Sequence, residues 1–112
     1  MSKLRTYKIE DESRGRGGWA FYVEQGRLPF SWEILGDKGR GVDIPLPEEW
    51  NAYCEKHEAG WAIGRRDEIV QRLADGLIKK WYGNGTYEIV EDHWLNIYPG
   101  ASLLSRLLDK LK

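Results

Sequence analysis

The sequence predicts an α+β fold: a single small domain over residues 1–112, in which helices pack on one face of a mainly antiparallel sheet. Three observations predict it. Apolar and polar residues alternate with period two in the first 46 residues, as is typical of strands. Helical periodicity follows, and alternation returns before the C terminus. Tight turns separate the strands, which favours antiparallel pairing. The predicted order is four strands, two helices, two strands and a final helix.

Four strands are predicted ahead of the first helix. The stretch LRTYKIE predicts the first strand, and the polar stretch ESRGRGG, residues 12–18, predicts a flexible loop rich in glycine and arginine. A short fourth strand at residues 42–46 follows the turn GDKGRG. The apolar face of the second strand is predicted to consist of Trp19, Phe21 and Val23, and that of the third strand of Leu28, Phe30, Trp32 and Ile34.

The longest helix is predicted over about residues 65–82. Its apolar residues recur at i, i+1, i+4 and i+5 and therefore form one stripe, in which Leu73 is expected to be fully buried. A shorter helix is predicted from Pro47, which suits the first helical position, to about His57.

The C-terminal part of the chain predicts a hairpin and then a helix. Residues 86–99 alternate and are expected to turn near Glu91 and Asp92. Residues 101–112 carry five leucines on one face of a predicted amphipathic helix. A helix this short must dock to be stable in water. We expect it to dock on its own sheet, while a second subunit remains the alternative, so the protein is expected to be a monomer or a weak homodimer.

Composition excludes several classes of partner and site. A net charge of −1, from 17 basic and 18 acidic residues, argues against a nucleic-acid-binding domain. No apolar run is long enough to cross a membrane, and the N terminus lacks the apolar core of a signal peptide. A lone cysteine, Cys54, fits a reducing compartment. The expected location is therefore the bacterial cytoplasm, with neither nucleic acid nor membrane as partner.

Cys54 and His57 are the pair most suggestive of catalysis. They are three residues apart on the predicted short helix and therefore share a face, as a nucleophile and its base or as half a zinc site would. However, they belong to an i, i+3, i+4, i+7 stripe with Trp50 and Tyr53, which is typical of a helix that faces the core. We therefore expect a structural role and predict no catalytic residue, metal or cofactor.

Arg65 and Arg66 stand at the start of the long helix, where the helix dipole is unfavourable to positive charge. One interpretation is that they are surface side chains that pack on Trp61 and are neutralised by the acidic residues that follow them. The other is a corner that binds a carboxylate or phosphate group. In that case Trp61, Arg65 and Arg66 are the binding residues.

The function expected from these observations is that of a small soluble, non-enzymatic binding protein that recognises another protein, as an inhibitor or immunity-type protein does. The alternative is a small-molecule-binding module that recognises an anionic or carboxylate ligand through Arg65, Arg66 and neighbouring aromatic residues. A deep cavity lined by Trp19, Trp32 and Trp50 would favour the ligand. A filled core with tryptophan exposed on one flank would favour the protein partner.

Overall fold

The computed structural model describes residues 6–36 and 39–100. Short 3₁₀ turns at Pro47–Glu49 and Gly60–Ala62 precede the two helices. The predicted helix at residues 101–112, with its expected docking, lies outside the described residues. In chain order the elements are β1 (Lys8–Arg14), β2 (Gly17–Val23), β3 (Arg27–Ile34), β4 (Arg40–Asp43), α1 (Trp50–Lys56), α2 (Arg66–Tyr82), β5 (Gly85–Val90) and β6 (Trp94–Pro99).

The described strands form one antiparallel sheet of six strands in the order β1-β2-β3-β4-β6-β5. The first four strands are neighbours in both sequence and space. The C-terminal hairpin then joins the sheet through β6, which pairs with β4 so that Val42 lies opposite Leu95. Together with the two helices, this sheet makes the chain a small α+β domain, as the sequence predicts.

The helices cover one face of the sheet, which we call the inner face. The apolar stripe of α2 is buried, and the prediction that Leu73 is fully buried is confirmed. Gly76 allows α2 to lie close to β1, since a Cβ atom there would come within 2.3 Å of Cγ1 of Ile9. The buried strand residues that meet the helices are Ala20, Tyr22, Leu28, Phe30, Trp32, Val42, Leu95 and Ile97.

The prediction of a flexible loop at residues 12–18 is wrong. The two strands continue through most of this stretch and leave a two-residue turn, in which Gly15 has φ +67°. Gly18, in β2, serves close packing. A Cβ atom on Gly18 would lie 1.9 Å from the carbonyl oxygen of Glu12 and 2.9 Å from the ring of Trp32. The absence of a side chain, rather than backbone flexibility, is what this position requires.

The predicted apolar face of the second strand is also wrong. In β2 the residues that face the core are Ala20 and Tyr22, whereas Trp19 is 40% exposed on the opposite, outer face. The sizes of the side chains that lie opposite each other in β2 and β3 explain which face of β2 is buried. Ala20 lies opposite Phe30 and Gly18 opposite Trp32, so small residues of β2 make room for the large rings of β3.

Candidate functional site

Strands β3 and β4 pair over a short length and then diverge. Their pairing covers residues 32–34 and 40–42, whereas β2 pairs with β3 along seven residues. In the first half of β3, helix α1 approaches instead. The hydroxyl of Tyr53 donates a hydrogen bond to the carbonyl oxygen of Pro29, and its ring lies 5.9 Å from that of Phe30. Helix α1 thus occupies the position beside β3 that β4 has left.

A groove of about 850 Å³ opens at this divergence. Residues from five parts of the chain meet there: β2, β3, the end of β4 with the segment that follows it, helix α1 and the turn between β5 and β6. Both histidines of the sequence line it. The side chains on which the argument below depends are Trp19, Asp43, Glu48, Glu49, Tyr53 and Lys56. We call this feature the outer groove.

Trp19 differs from the other tryptophans named in the sequence prediction. Trp32 is 4% exposed and Trp50 is 1% exposed, so both fill the core. The indole nitrogen of Trp50 donates a hydrogen bond of 2.9 Å to the carbonyl oxygen of Ala62. The outer groove is lined by Trp19 and by neither Trp32 nor Trp50. The observed arrangement is a filled core with Trp19 exposed beside the outer groove.

The outer groove is acidic. It contains the carboxylates of Asp43, Glu48 and Glu49 and the ammonium group of Lys56, so its formal charge is −2 when the histidines are neutral. Across residues 6–36 and 39–100, none of these three carboxylates forms a salt bridge. Burial, with a contribution from Asp43, raises the pKa of Tyr53 to about 12. The Tyr53 hydroxyl is therefore a neutral hydrogen-bond donor at neutral pH.

His57 lies at the α1 side of the groove, with its ring 4.5 Å from that of Tyr53. Burial and the neighbouring charge of Lys56 lower the pKa of His57. The imidazole is therefore neutral at neutral pH and adds no charge to the groove. A neutral imidazole and the aromatic rings give the groove an uncharged part beside its carboxylates.

Arg65 is held by the protein itself. Its guanidinium donates two hydrogen bonds to Glu24, of 3.2 and 2.8 Å, two to Glu68 and one to the carbonyl oxygen of Trp61. The side chain of Glu24 is 3% exposed and that of Arg65 is 15% exposed. The hydrogen bonds to Glu68 and Glu24 raise the pKa of Arg65. This ion pair joins the turn after β2 to the start of α2.

Arg66 and Trp61, the other predicted binding residues, are also engaged within the chain. The guanidinium of Arg66 donates to the carbonyl oxygens of Pro45, at 2.9 Å, and Asp92, at 2.5 Å. The ring of Trp61 stacks on Tyr22 at 6.0 Å. Both arginines line a depression of about 390 Å³. Because both guanidiniums already have protein acceptors, this depression offers an anion little that is free to bind it.

Cys54 is a fully buried free thiol on α1. Burial raises its pKa to about 11, which disfavours the reactive thiolate. The imidazole of His57 lies against Tyr53, as described above. Among the described residues, no three histidine, cysteine, aspartate or glutamate side chains form a group that could hold a metal ion. Cys54 thus has the features of core packing, whereas His57 lines the outer groove.

We expect native Cys54 to react with a thiol reagent at pH 8 at least about 100-fold more slowly than the denatured chain does, because its thiol is both buried and protonated. The rate of alkylation, followed by mass spectrometry with and without denaturant, measures this. Cys54→Ser gives the background. Equal rates in the two states would show that the thiol is accessible and would support the hypothesis that Cys54 is a nucleophile.

Neither α1 nor α2 has the length and apolar character needed to cross a bilayer, within the residues that the structure describes. No protein-family model, no curated protein and no solved structure matches this chain.

Proposed function

We propose that this chain is a small, non-enzymatic protein-binding domain of the bacterial cytoplasm, of the inhibitor or immunity type, and that the outer groove is where its partner docks. The observation that carries the proposal is the position of Trp19. Tryptophan and tyrosine contribute disproportionately to protein–protein binding energy, and they do so from pockets that the partner closes to water. Trp19 has a half-exposed ring at the edge of such a groove.

The environment of Trp19 supports this role. A neighbouring aromatic residue on the same face, Phe21, is covered by the guanidinium of Arg27 at 3.8 Å. In the described part of the chain, no such cation and no stacked ring covers Trp19. Its exposed surface is therefore available to a partner, and burying that surface would be favourable.

The alternative function, a module that binds a carboxylate or another anion through Arg65 and Arg66, has weaker support. The guanidinium of Arg65 is shared between Glu24 and Glu68, and that of Arg66 is bound to two carbonyl oxygens. A ligand would have to displace these acceptors. Taking the main partner of the buried Glu24 away would cost more free energy than an exposed anion contact returns.

Replacing Trp19 by alanine is expected to weaken partner binding by about 30-fold or more, the effect of a hot-spot residue. The partner is first captured from an extract of the source cells and then purified, and its affinity for each variant is measured by calorimetry. Tyr87→Ala is the matched control, because Tyr87 is an aromatic residue with a comparable exposed fraction, 37%, and does not line the groove.

The control variant should keep its affinity within about threefold, and both variants should unfold within about 0.5–1 kcal/mol of the parent. A purified partner whose affinity is unchanged by Trp19→Ala would place its binding site outside the groove. Failure to obtain any protein that binds the purified domain directly would contradict the function itself.

A further inference from the structure

We infer that the outer groove recognises a basic segment of its partner, with an arginine or lysine side chain placed between the ring of Trp19 and the carboxylates of Asp43 and Glu48. This inference rests on the proposed function and specifies the chemistry of the partner. It follows from the charge of the groove, from the absence of salt bridges to its carboxylates among the described residues, and from the contacts that this protein's own arginines make with aromatic rings.

Charge complementarity is the first argument. The whole chain has a formal charge of −1, whereas the groove alone carries −2. Two carboxylates of the outer face that do not line the groove form ion pairs: Glu10 with Lys8 and Arg27, and Glu12 with Arg14. Those that line the groove are not paired within the described residues, as shown above. The groove therefore attracts a cationic segment and repels acidic peptides and nucleic acid.

The aromatic residues of the groove supply the second argument. A guanidinium or ammonium group is attracted to the face of an aromatic ring, and to tryptophan most strongly. This protein uses that contact itself, with Arg27 over Phe21 at 3.8 Å and Arg40 over Trp81 at 4.5 Å. Trp19 offers the same type of surface beside free carboxylates. An incoming arginine can therefore form a cation–π contact and charge-assisted hydrogen bonds in one place.

The size and shape of the groove favour a segment over an isolated ion. A volume of about 850 Å³ is far more than one guanidinium requires. The uncharged part of the lining, which includes Ile44, Leu46 and Ala52, can accept the apolar side chains that flank a basic residue. We therefore expect the recognised segment to carry both basic and apolar residues.

A synthetic peptide amide of alternating arginine and leucine is the probe, and the same peptide with citrulline in place of arginine is its uncharged counterpart. Binding is followed through the indole N–H signal of Trp19 in two-dimensional NMR spectra, assigned with Trp19→Phe. The arginine peptide should shift this signal saturably, and the citrulline peptide should bind at least about tenfold more weakly. Affinity for the arginine peptide should fall as salt rises from about 50 to about 300 mM.

Two matched triple variants distinguish the effect of charge inside the groove from the effect of the protein's overall charge. The triple variant Asp43→Asn, Glu48→Gln, Glu49→Gln should bind the arginine peptide about tenfold more weakly than the parent. The control triple variant Glu55→Gln, Glu58→Gln, Asp75→Asn removes the same charge from exposed positions that do not line the groove, and it should change binding by less than about threefold.

Equal binding of the two peptides, equal effects of the two triple variants, or no shift of the Trp19 signal would each overturn the inference. The proposed function is judged separately by the captured partner. If that partner binds through Trp19 but tolerates the Asp43, Glu48 and Glu49 triple variant, the function stands and the basic segment is wrong. If binding of the partner is independent of Trp19, docking in the groove is wrong as well.

Discussion

Replacing Arg65 by methionine is expected to lower the free energy of unfolding by about 3 kcal/mol, because it leaves the buried carboxylate of Glu24 without its main partner. Among the described residues, Arg72, at 3.9 Å, and the hydroxyl of Tyr22, which donates a hydrogen bond of 2.6 Å, stay close to that carboxylate. They place the expected loss at the lower end of the range for a broken buried ion pair. Urea denaturation followed by tryptophan fluorescence measures it.

The double variant Glu24→Leu, Arg65→Met provides the control. Removing both charges should destabilise the protein less than Arg65→Met alone, because no buried carboxylate has then lost its main partner. A loss of less than about 1 kcal/mol for the single variant would mean that water reaches Glu24. It would also reopen the question of whether Arg65 is free to bind an anion.

Leu73→Ala is expected to cost about 2–5 kcal/mol of unfolding free energy, because it creates a cavity at the centre of the interface between α2 and the sheet. Leu73 is fully buried, and the same helix buries Ile69, Val70 and Leu77. The midpoint of urea denaturation should fall while its slope stays unchanged. Gln71→Ala, at an exposed position of α2, should alter stability by less than about 0.5 kcal/mol. A similarly small loss for Leu73→Ala would show that the stripe is not the stability core.

Regular local patterns in this sequence predict its structure well. The helical stripe predicts α2 to within one residue of its observed start and gives its observed end, Tyr82. The hairpin at the C terminus turns where it is predicted to, since Glu91 and Asp92 both have positive φ. In both cases the signal lies in residues that are close together in sequence, so no knowledge of distant contacts is required.

The candidate site is formed by features that depend on contacts between residues far apart in the sequence. The buried partner of Arg65 is Glu24, 41 residues earlier in the chain, so the sequence around Arg65 indicates the pairing with Glu68 but not the ion pair with Glu24. The orientation of β2 depends on the ring sizes in β3. Alternation identifies a strand but does not say which of its two faces is buried when both carry apolar residues. Trp19 was therefore assigned to the wrong face.

One signal in the sequence could have corrected that assignment. The strand GGWAFYV alternates small residues, Gly18 and Ala20, with the large rings of Trp19 and Phe21. The neighbouring strand presents the large rings of Phe30 and Trp32 to the core. Because the space between sheet and helices is limited, the residues opposite these rings in β2 have to be small. The outer groove itself could not be predicted, because it arises where β4 leaves β3 and α1 takes its place.

The pairing of β4 with β6 has a consequence for the order of folding. Val42 pairs with Leu95, which lies 53 positions later in the chain, whereas β1, β2, β3 and β4 pair through short turns. As the chain leaves the ribosome, the four-stranded meander is complete long before the hairpin that covers its edge has been made. Until then β4 presents unpaired backbone groups, which can pair with another nascent chain. Helix α2 is synthesised in the interval, but in the finished fold its main contacts with the sheet are with β1, β2, β5 and β6, so the edge of β4 stays open until β6 arrives.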